Sequence, residues 1–444
     1  MLIELPYSTD LIRNYAQLAD MPGFVLLESG DPLRGRYDIV SACPYERFQC
    51  NDFETIESFI EELDRALPDV KSDVDLPFQG GLLGYFSYDF GAHRMGLPVH
   101  TQTSLGASAE NLADFGLYDW AIIADHLMKK TILFAANRHT STASVIQDVL
   151  ERWLAPVSDD VTDVSESISL RPLLSHADYQ ERFQSIWDAL YQGRCYQVNY
   201  TQPFLASFCG DTWDLFQKIR KNNPVPFSAY YVGASQTLLS FSPERFILQD
   251  GNQLLASPIK GTAPRLHDDP VRDQMLSDAL VTCEKNRAEN TMIVDLWRND
   301  LTQIAEPQTV KVKALCQLES YRSVHHLVSH IEAKRHASIN PLKAFLKCFP
   351  AGSITGAPKR EAMHVIHEQE PYARGAYCGG MAYFSAHGRS DSNIAIRTLI
   401  AQNNQLSLSV GGGLVIDSVC AEEYHECFHK IQSIQDSLNQ RGIA

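Results

Sequence analysis

Lys260 is the residue of this chain whose surroundings best suit chemistry. It lies in segment 257–262 (SPIKGT), between an apolar, strand-like run and a glycine turn. A lysine amine with a pKa near 10.4 is almost wholly protonated at pH 7, and it becomes a nucleophile only where burial or a neighbouring cation lowers that pKa. Glu244 stands upstream in a similar apolar setting, at 241–246 (FSPERF). The two residues could serve as nucleophile and acid, although most lysines are solvated surface charges.

Three further carboxylates lie on predicted helices. Glu289 stands beside the apolar stripe of a helix predicted for 283–298, and Glu423 and Glu426 lie in a helix predicted for 422–438. Their spacing of three residues places the last two on one helix face. Mg²⁺ binds one or two protein carboxylates, keeps several waters and accepts substrate oxygens. The spacing alone fits both a magnesium site and two solvated helix faces.

Other segments could bind an anion. Arg397 is one charge inside an apolar run predicted as strand 394–401, so it needs an internal partner or a ligand carboxylate. Segment 352–359 (GSITGAPK) has the wrong spacing for a nucleotide loop, and it predicts a turn that opens a helix at Pro358. The glycines at 411–413 follow a predicted strand, and they permit either a bulge or close approach of backbone N–H groups to a ligand.

The composition limits the choice of partners. The net charge of −16 disfavours nucleic acid and anionic membranes, and it requires any site for an anionic substrate to create local positive potential. The ten cysteines include no CxxC pair, which argues against a zinc motif and favours free thiols in a reducing compartment. The N-terminus lacks the pattern of a signal peptide, and the charges within 117–136 exclude a simple membrane span. We expect a cytoplasmic protein.

The chain divides at an acidic, serine-rich segment bounded by prolines. Residues 155–172 are predicted to be a linker between an N-terminal, strand-rich region at 1–154 and a larger region at 173–444. Strand-like and helix-like segments alternate without a regular βαβ pattern. The sequence therefore predicts an α+β fold with large antiparallel sheets covered by helices.

The ordered set of motifs resembles the chorismate-utilising enzymes. It comprises 241–246, 257–262, 285–290 (KNRAEN), 352–359 and 411–413, and the resemblance extends over nearly the whole chain. It implies two large antiparallel sheets packed together, helices outside them and an active site in the cleft between them. It also implies that chorismate is the substrate and that Mg²⁺ is the cofactor. The cation would supply the local positive charge that an anionic substrate needs in a chain with a negative net charge.

The resemblance assigns roles to individual residues. It makes Glu289 and Glu426 metal ligands, with Glu423 acting directly or through water, and it places His326 beside the substrate ring. The implied substrate contacts are Thr262, Thr355, Gly356, Tyr383, Arg397, Gly411, Gly412 and Gly413. From the residues alone, His326 and Tyr383 are more often structural than functional.

Lys260 points to one branch of these enzymes. Relatives that form anthranilate carry a small residue at this place, whereas the branch leading to para-aminobenzoate carries lysine. The implied reaction is amination of chorismate at C4 through a covalent Lys260 intermediate, with Glu244 as the acid and ammonia supplied by a separate glutamine amidotransferase subunit. An anthranilate-, salicylate- or isochorismate-forming enzyme is the alternative, as is a non-catalytic tryptophan-binding regulatory subunit.

A second site is implied in the N-terminal region. Segment 26–30 (LLESG) and the following Arg36 and Tyr37 resemble the aromatic amino-acid pocket of these relatives. The residues implied for a tryptophan pocket are Ser29, Arg36, Tyr37, Pro226, Phe227 and Ser228. Ordinary packing between regions is the alternative.

Overall fold

The computed structural model describes residues 1–30, 35–70, 74–106, 111–156, 167–321 and 324–439. Most of the predicted linker, residues 157–166, lies outside the described residues. The strands are β1 (Leu2–Leu5), β2 (Val25–Glu28), β3 (Tyr37–Ser41), β4 (Glu46–Cys50), β5 (Gly81–Phe86), β6 (Ala113–Tyr118), β7 (Trp120–Asp125), β8 (Lys130–Ala135), β9 (Arg171–Pro172), β10 (Gln197–Ser207), β11 (Phe227–Val232), β12 (Thr237–Ser242), β13 (Leu248–Asp250), β14 (Gln253–Ala256), β15 (Ile259–Pro264), β16 (Lys311–Ser320), β17 (Val324–Lys334), β18 (Gly356–Ala357), β19 (Gly380–Ser385), β20 (Ser390–Ser392), β21 (Thr398–Gln402) and β22 (Gln405–Leu414).

The helices are α1 (Ile12–Ala16), α2 (Ile56–Ala66), α3 (Tyr88–Arg94), α4 (Thr142–Leu154), α5 (His176–Tyr191), α6 (Thr212–Asn222), α7 (Pro270–Thr282), α8 (Glu284–Thr302), α9 (Pro341–Cys348), α10 (Lys359–Gln369) and α11 (Cys420–Asn439). Short 3₁₀ turns lie at Phe53–Thr55 and Gly352–Ile354. Within the described ranges, none of these helices is both long and apolar enough to cross a membrane.

The described strands form two antiparallel sheets. One has twelve strands in the order β1-β8-β7-β3-β2-β11-β12-β21-β22-β10-β18, with β9 added to β10. The other has ten strands in the order β15-β17-β14-β13-β20-β19-β5-β6-β4, with β16 added to β17. The predicted α+β class and its two large antiparallel sheets are confirmed.

Among the described residues, three large apolar cores hold these layers together, and a small fourth one packs α7 against β15 and β17. The core between the sheets joins residues such as Tyr231 of the first sheet to Leu83 and Met381 of the second. A larger core packs α4, α5, α6, α10 and α11 on the outer face of the first sheet. A third packs α2, α3, α8 and α9 on the outer face of the second sheet. The helices therefore lie outside the paired sheets.

The two predicted regions of the chain share both sheets. Strand β2 pairs with β11, aligning Glu28 with Ser228, and β5 pairs with β19, aligning Leu83 with Tyr383. The N-terminal and C-terminal regions therefore both contribute strands to each of the two sheets, although the sequence shows a composition break between the regions.

Most predicted elements are present, with two informative errors. Ser175 and Asp178 form the predicted capping box of α5. The strand predicted for 394–401 begins only at Thr398, because Arg397 adopts a left-handed backbone with φ of 50°. Pro358 is the N-cap of α10 rather than its first helical residue.

Candidate active site

Lys260 lies on β15, at the edge of the ten-stranded sheet. Strand β15 pairs with β17, and the register shifts between Ile259 and Thr262. The irregularity requires glycine at position 261, where φ is 84° and where a Cβ atom would come within 3.0 Å of Asn286 on α8. The bulge and the close approach of α8 together fix the backbone that carries Lys260.

The surroundings of Lys260 lower the pKa of its amine. Burial lowers its pKa below the ordinary lysine value, while the nearby carboxylates of Glu289 and Glu244 act in the opposite direction. Lys430 adds to the lowering, and Glu426 opposes it. The structure therefore gathers Lys260 with three of the predicted acidic residues, and the net effect brings the amine closer to the form that can attack a substrate.

Glu244 is buried close to Lys260, with only 6% of its surface exposed. Burial raises the pKa of its carboxyl to about 7, and the charge of Lys260, the hydroxyl of Ser353 and the backbone N–H of Ile259 act against that rise. The Ser353 hydroxyl lies close enough to the Glu244 carboxyl to affect its pKa, yet neither Glu244 Oε1 nor Ser353 Oγ has a well-formed hydrogen bond among the described residues. Buried polar groups normally form hydrogen bonds, so we expect a bound ligand to provide hydrogen-bond partners for these two groups.

Glu423 and Glu426 project from the first turns of α11 toward β22. A Cβ atom at Gly412 would lie 2.9 Å from Glu423 Oε2 and 3.7 Å from Glu426 Oε1. Ser418 Oγ donates to Glu423 Oε1 at 2.7 Å, and Lys430 Nζ lies 2.6 Å from Glu426 Oε1. The predicted shared face of the two carboxylates is confirmed, and it borders the glycine run.

The charges of this acidic pair are balanced within the chain. Burial raises the pKa of Glu423, and the charge of Glu426 raises it further. Burial acts to raise the pKa of Glu426 as well, but the ammonium groups of Lys430, Lys285 and Lys260 outweigh it and leave that pKa lowered. Lys430 therefore supplies positive charge at the place where the sequence predicts a cation.

The carboxylates suit a hydrated cation better than a closed metal cage. Within the described ranges, no three His, Cys, Asp or Glu side chains are gathered closely enough to hold a metal ion by themselves. Mg²⁺ needs only one or two protein carboxylates, because waters and substrate oxygens complete its octahedron. Glu423 and Glu426 converge beside Gly412, and Glu289 and Glu426 both interact electrostatically with Lys260, so the donors fit a hydrated Mg²⁺.

Arg397 supplies the second positive centre. In the part of the chain that the structure describes, its guanidinium has no hydrogen-bond or ion-pair partner, and burial lowers its pKa. Burial, together with the charge of Arg397, lowers the pKa of His326 to about 4, so the imidazole is neutral at pH 7. His326 Nδ1 lies 2.9 Å from Thr262 Oγ1. Arg397, His326 and Thr262 thus lie close together, and the Arg397 guanidinium is a cation available to an anionic ligand.

The turn at 352–356 differs from the prediction in its side chains. Thr355 is fully buried, and its hydroxyl donates to the Ala351 and Gly352 carbonyls, so it has no exposed hydroxyl for a ligand. Gly356 has φ of 136°, and a Cβ atom there would lie 2.1 Å from the Gln197 carbonyl oxygen. The side chain of this turn that faces the acid is Ser353.

The glycines at 411–413 allow β22 to lie tightly against its neighbours. A Cβ atom at Gly411 would lie 1.9 Å from the Tyr200 carbonyl oxygen, and one at Gly413 would lie 2.4 Å from Gln197 Nε2. The Gln197 side chain is fully buried, and neither of its polar atoms has a hydrogen-bond partner among the described residues. Gln197 is a polar group beside the site that the sequence reasoning did not identify.

A separate cavity of about 210 Å³ lies where the two sheets meet. It is lined by all six residues predicted for the aromatic pocket, namely Ser29, Arg36, Tyr37, Pro226, Phe227 and Ser228. The Ser228 and Tyr37 hydroxyls are buried without a hydrogen-bond partner among the described residues. These two hydroxyls give the cavity polar groups that a ligand could satisfy.

Tyr383 lies in this cavity rather than beside Arg397. It is on β19, its ring packs edge-on against Phe78 at 5.9 Å, and it belongs to the core between the sheets. Successive side chains of a strand point to opposite faces, and position 383 faces inward. The predicted contact of Tyr383 with the substrate is wrong for this reason.

The sequence and the fold of this chain are similar to those of known proteins. Residues 23–436 match the family model described as chorismate binding enzyme. The chain belongs to this family. It is 39% identical to aminodeoxychorismate synthase component 1 of Salmonella typhimurium over 98% of both chains, and 38% identical to that of Escherichia coli over 96% of this chain and 95% of the relative. The solved anthranilate synthase component I of Streptococcus pneumoniae is 25% identical, with a TM-score of 0.80 over 90% of this chain and 92% of that one.

Within this chorismate binding fold, three residues near the acid and the carboxylates were missed from the sequence. Ser353 lies within the quoted motif 352–359, and Lys430 is one helical turn after Glu426, so both had a signal in their spacing. Gln197 is a polar residue in a run predicted as a strand, which is a weaker signal. Their contacts depend on long-range pairing, which the sequence does not display.

Proposed function

We propose that this chain is component I of an aminodeoxychorismate synthase, which converts chorismate and ammonia to 4-amino-4-deoxychorismate. The observation that carries this proposal is Lys260, whose pKa is lowered by burial and which lies beside Glu244, whose pKa is raised to about 7. A lysine at this position is the feature that separates the para-aminobenzoate branch from the anthranilate-forming relatives. The full-length similarity to two aminodeoxychorismate synthase components supports the same reaction.

The first proposed step uses this pair directly. The neutral Lys260 amine attacks C2 of chorismate and forms a C–N bond, the two ring double bonds shift, and the C4–O bond breaks. Glu244 gives its proton to the departing C4 oxygen, which leaves as water. A carboxyl with a pKa of about 7 is protonated in about half of the molecules at neutral pH, so it can act as this acid.

The second step restores the lysine. Ammonia attacks C4, the double bonds shift back, and the C2–N bond breaks with its electron pair returning to the Lys260 nitrogen. The new C4 ammonium gives one proton to the Glu244 carboxylate, which restores the acid. The sum is chorismate plus ammonia giving 4-amino-4-deoxychorismate plus water. The buried Gln197 carboxamide and the Ser353 hydroxyl are the nearby neutral polar groups that could orient the incoming ammonia or the departing water.

The anionic substrate is held by opposite charge at two ends. Arg397, which has no partner among the described residues, binds the enolpyruvyl carboxylate in this proposal, and neutral His326 lies beside the ring. The backbone of Gly411, Gly412 and Gly413, which pairs with β10 along one edge, is assigned to the ring carboxylate in this proposal. Glu426 and Glu289, with Glu423 directly or through water, would hold Mg²⁺, which would supply positive charge near the ring carboxylate. Lys430 would then share Glu426 with the metal.

The proposed partners follow from the reaction. Ammonia comes from a separate glutamine amidotransferase subunit, because no cysteine of the sequence stands in the GxCxG pattern of a glutaminase nucleophile. The cavity between the sheets binds tryptophan, with the Ser228 and Tyr37 hydroxyls as polar contacts. The ten cysteines are all free thiols, which fits a reducing, cytoplasmic location.

Product analysis tests the proposed function. The purified chain is incubated with chorismate, Mg²⁺ and ammonium, and the product is identified by mass spectrometry. We expect 4-amino-4-deoxychorismate, with no turnover when glutamine replaces ammonium. Release of anthranilate, salicylate or isochorismate would assign the chain to another branch of the family, and robust use of glutamine by the chain alone would exclude the two-subunit arrangement.

A further inference from the structure

A buried charged network lies directly behind the turn at 352–356, among residues with no role in the reaction described above. Arg374 and Glu370 form a bidentate ion pair with N–O distances of 2.7 and 2.8 Å, and at most 2% of either side chain is exposed. Removing two charges from water is costly, so a pair at this depth is weak evidence for stability alone. The other hydrogen bonds of the pair indicate a different purpose.

The remaining donors of Arg374 bind two segments that border the site. Its Nη1 donates to the Ile354 carbonyl at 3.0 Å, and its Nη2 donates to the Asn199 carbonyl at 2.8 Å. Asn199 binds the same turn, because its Nδ2 donates to the Ile354 carbonyl at 2.9 Å and its backbone N–H donates to the Thr355 carbonyl at 2.9 Å. The Ile354 carbonyl therefore accepts hydrogen bonds from two buried side chains.

Glu370 and Tyr88 complete the support. Glu370 Oε1 accepts from the backbone N–H of Thr201 at 3.1 Å and from its hydroxyl at 2.9 Å, which ties the ion pair to β10. The Arg374 guanidinium lies over the ring of Tyr88 at 4.6 Å. A buried polar network whose charged members are all hydrogen-bonded is rigid and fixes the groups that it contacts.

The group that this network fixes is the neighbour of the acid. Ile354 directly follows Ser353, whose hydroxyl lies beside the Glu244 carboxyl. We propose that Arg374 is a positioning residue for the reaction: by holding the Ile354 carbonyl with Asn199, it keeps the Ser353 hydroxyl beside Glu244. The proposal rests on the proposed function of Glu244 as the acid.

Two substitutions separate this role from a purely structural one. Arg374→Lys keeps a charge opposite Glu370 but cannot reach both carbonyls, and Asn199→Ala removes one bond to Ile354 while leaving the ion pair intact. Because a small misplacement in an active site can cost about 10²-fold, we expect kcat for ammonium-dependent turnover to fall roughly 10- to 100-fold. The KM for chorismate should change less than about threefold, since no substrate contact is removed.

A matched control is available in Arg335. This arginine is also buried, and among the described residues it bonds the carbonyls of Ile339 and Gly251. Arg335→Lys should leave kcat and KM unchanged. Hydrogen exchange supplies a readout that does not need activity: amides at 352–356 should lose protection in Arg374→Lys and Asn199→Ala, and they should keep it in Arg335→Lys.

A double-mutant cycle with Ser353→Ala completes the test. If Arg374 acts through Ser353, the loss in kcat for the double variant should be close to the larger single loss rather than to the product of both. Independent losses, a change confined to KM, or unchanged exchange at 352–356 would overturn the proposal. If Arg374→Lys does not fold, Asn199→Ala gives the same cycle. If the wild-type protein fails to aminate chorismate, the proposed function is wrong, whatever the variants show. The hydrogen-exchange data then decide whether the network holds the turn at 352–356.

Discussion

At the residue scale, one buried environment shifts the pKa values of two groups toward their uncharged forms. Burial lowers the pKa of Lys260 and raises that of Glu244 to about 7, while the attraction between the two charges opposes both shifts. Moving either group by one pKa unit corresponds to about 1.4 kcal/mol. A neutral amine and a protonated carboxyl are the forms that the proposed nucleophile and acid require.

The shifted pKa of Glu244 predicts the pH dependence of turnover. A general acid works while protonated, so activity at fixed free ammonia should fall as the pH rises through about 7. In Glu244→Gln this fall should disappear, and kcat should drop by roughly 10²- to 10⁴-fold. The exposed carboxyl of Glu62, on α2, offers the control Glu62→Gln, which should retain the wild-type profile. An unchanged alkaline limb in Glu244→Gln would remove Glu244 from the role of acid.

Arg397 carries a second prediction at this scale. Its guanidinium lacks an internal partner among the described residues, so a bound carboxylate should be its main interaction. Lysine cannot form the two-pronged contact, and Arg397→Lys should raise the KM for chorismate by about tenfold or more. Arg298→Lys on α8, which changes an exposed ion pair with Asp295, is the matched control. Equal KM values in the two variants would show that Arg397 does not bind substrate.

The sequence identifies residues better than it identifies where their side chains point. Lys260, Glu244, Glu423 and Glu426 were found from motifs, and the structure brings them together. Tyr383 was misplaced because one position along a strand decides which face a side chain occupies. The turn containing Thr355 was found, but its hydroxyl is bonded within the turn, a detail set by local backbone geometry.

At the scale of elements, α11 and β22 form one half of the site. The glycines of β22 let its backbone approach β10, and the first turns of α11 place two carboxylates over Gly412. Lys430, one turn further along α11, binds Glu426 and donates to the Gly411 carbonyl at 2.8 Å. Helix α11 therefore carries two of the three carboxylates proposed to bind the metal, and it also carries a cation, Lys430, that partly neutralises them.

This arrangement predicts a specific magnesium dependence. Glu426→Gln removes half of the charge that the acidic pair offers, so the Mg²⁺ concentration for half-maximal activity should rise by about tenfold or more. Glu422→Gln, on an exposed position of the same turn, should leave that concentration unchanged. Activity is measured against Mg²⁺ concentration at saturating chorismate. Identical curves for both variants would indicate that Glu426 is only a solvated partner of Lys430.

Element boundaries near the site were the least predictable. The apolar run 394–401 satisfies the pattern of a strand, but the chain turns at Arg397 before pairing begins at Thr398. Pairing with β12 decides where β21 starts, and β12 is about 160 residues away along the chain. By contrast, the capping box at Ser175 is a local signal, and it was confirmed.

At the scale of the whole molecule, the cavity between the sheets joins distant parts of the chain. It is lined by residues of β2, β3 and β11 from one sheet and of β19 and β20 from the other. The composition break at 155–172 suggested two regions, whereas the sheet order shows that both regions share each sheet. The order of the strands in a sheet depends on contacts between residues far apart in sequence. Neither composition nor periodicity reveals those contacts.

A ligand in this cavity should therefore stabilise the entire fold. A ligand at 100 times its Kd adds about 2.7 kcal/mol to the free energy of unfolding, so L-tryptophan should raise the melting temperature measurably. Ser228→Phe should abolish the shift in melting temperature, because the phenylalanine ring would occupy the cavity and the Ser228 hydroxyl would no longer be available to the ligand. Thermal melts with and without L-tryptophan, with D-tryptophan as control, check this. No shift at millimolar L-tryptophan in the wild type would contradict a tryptophan site.

Lys260 should become covalently bound to the substrate during turnover. Intact mass spectrometry of the protein exposed to chorismate and Mg²⁺ without ammonium measures this directly. The wild type should gain the mass of chorismate less one water, and the added mass should disappear when ammonium is supplied. Lys260→Ala should gain no mass and should lose C4 amination, while the exposed control Lys347→Ala should behave as the wild type. An adduct that persists in Lys260→Ala, or full amination by that variant, would contradict the account.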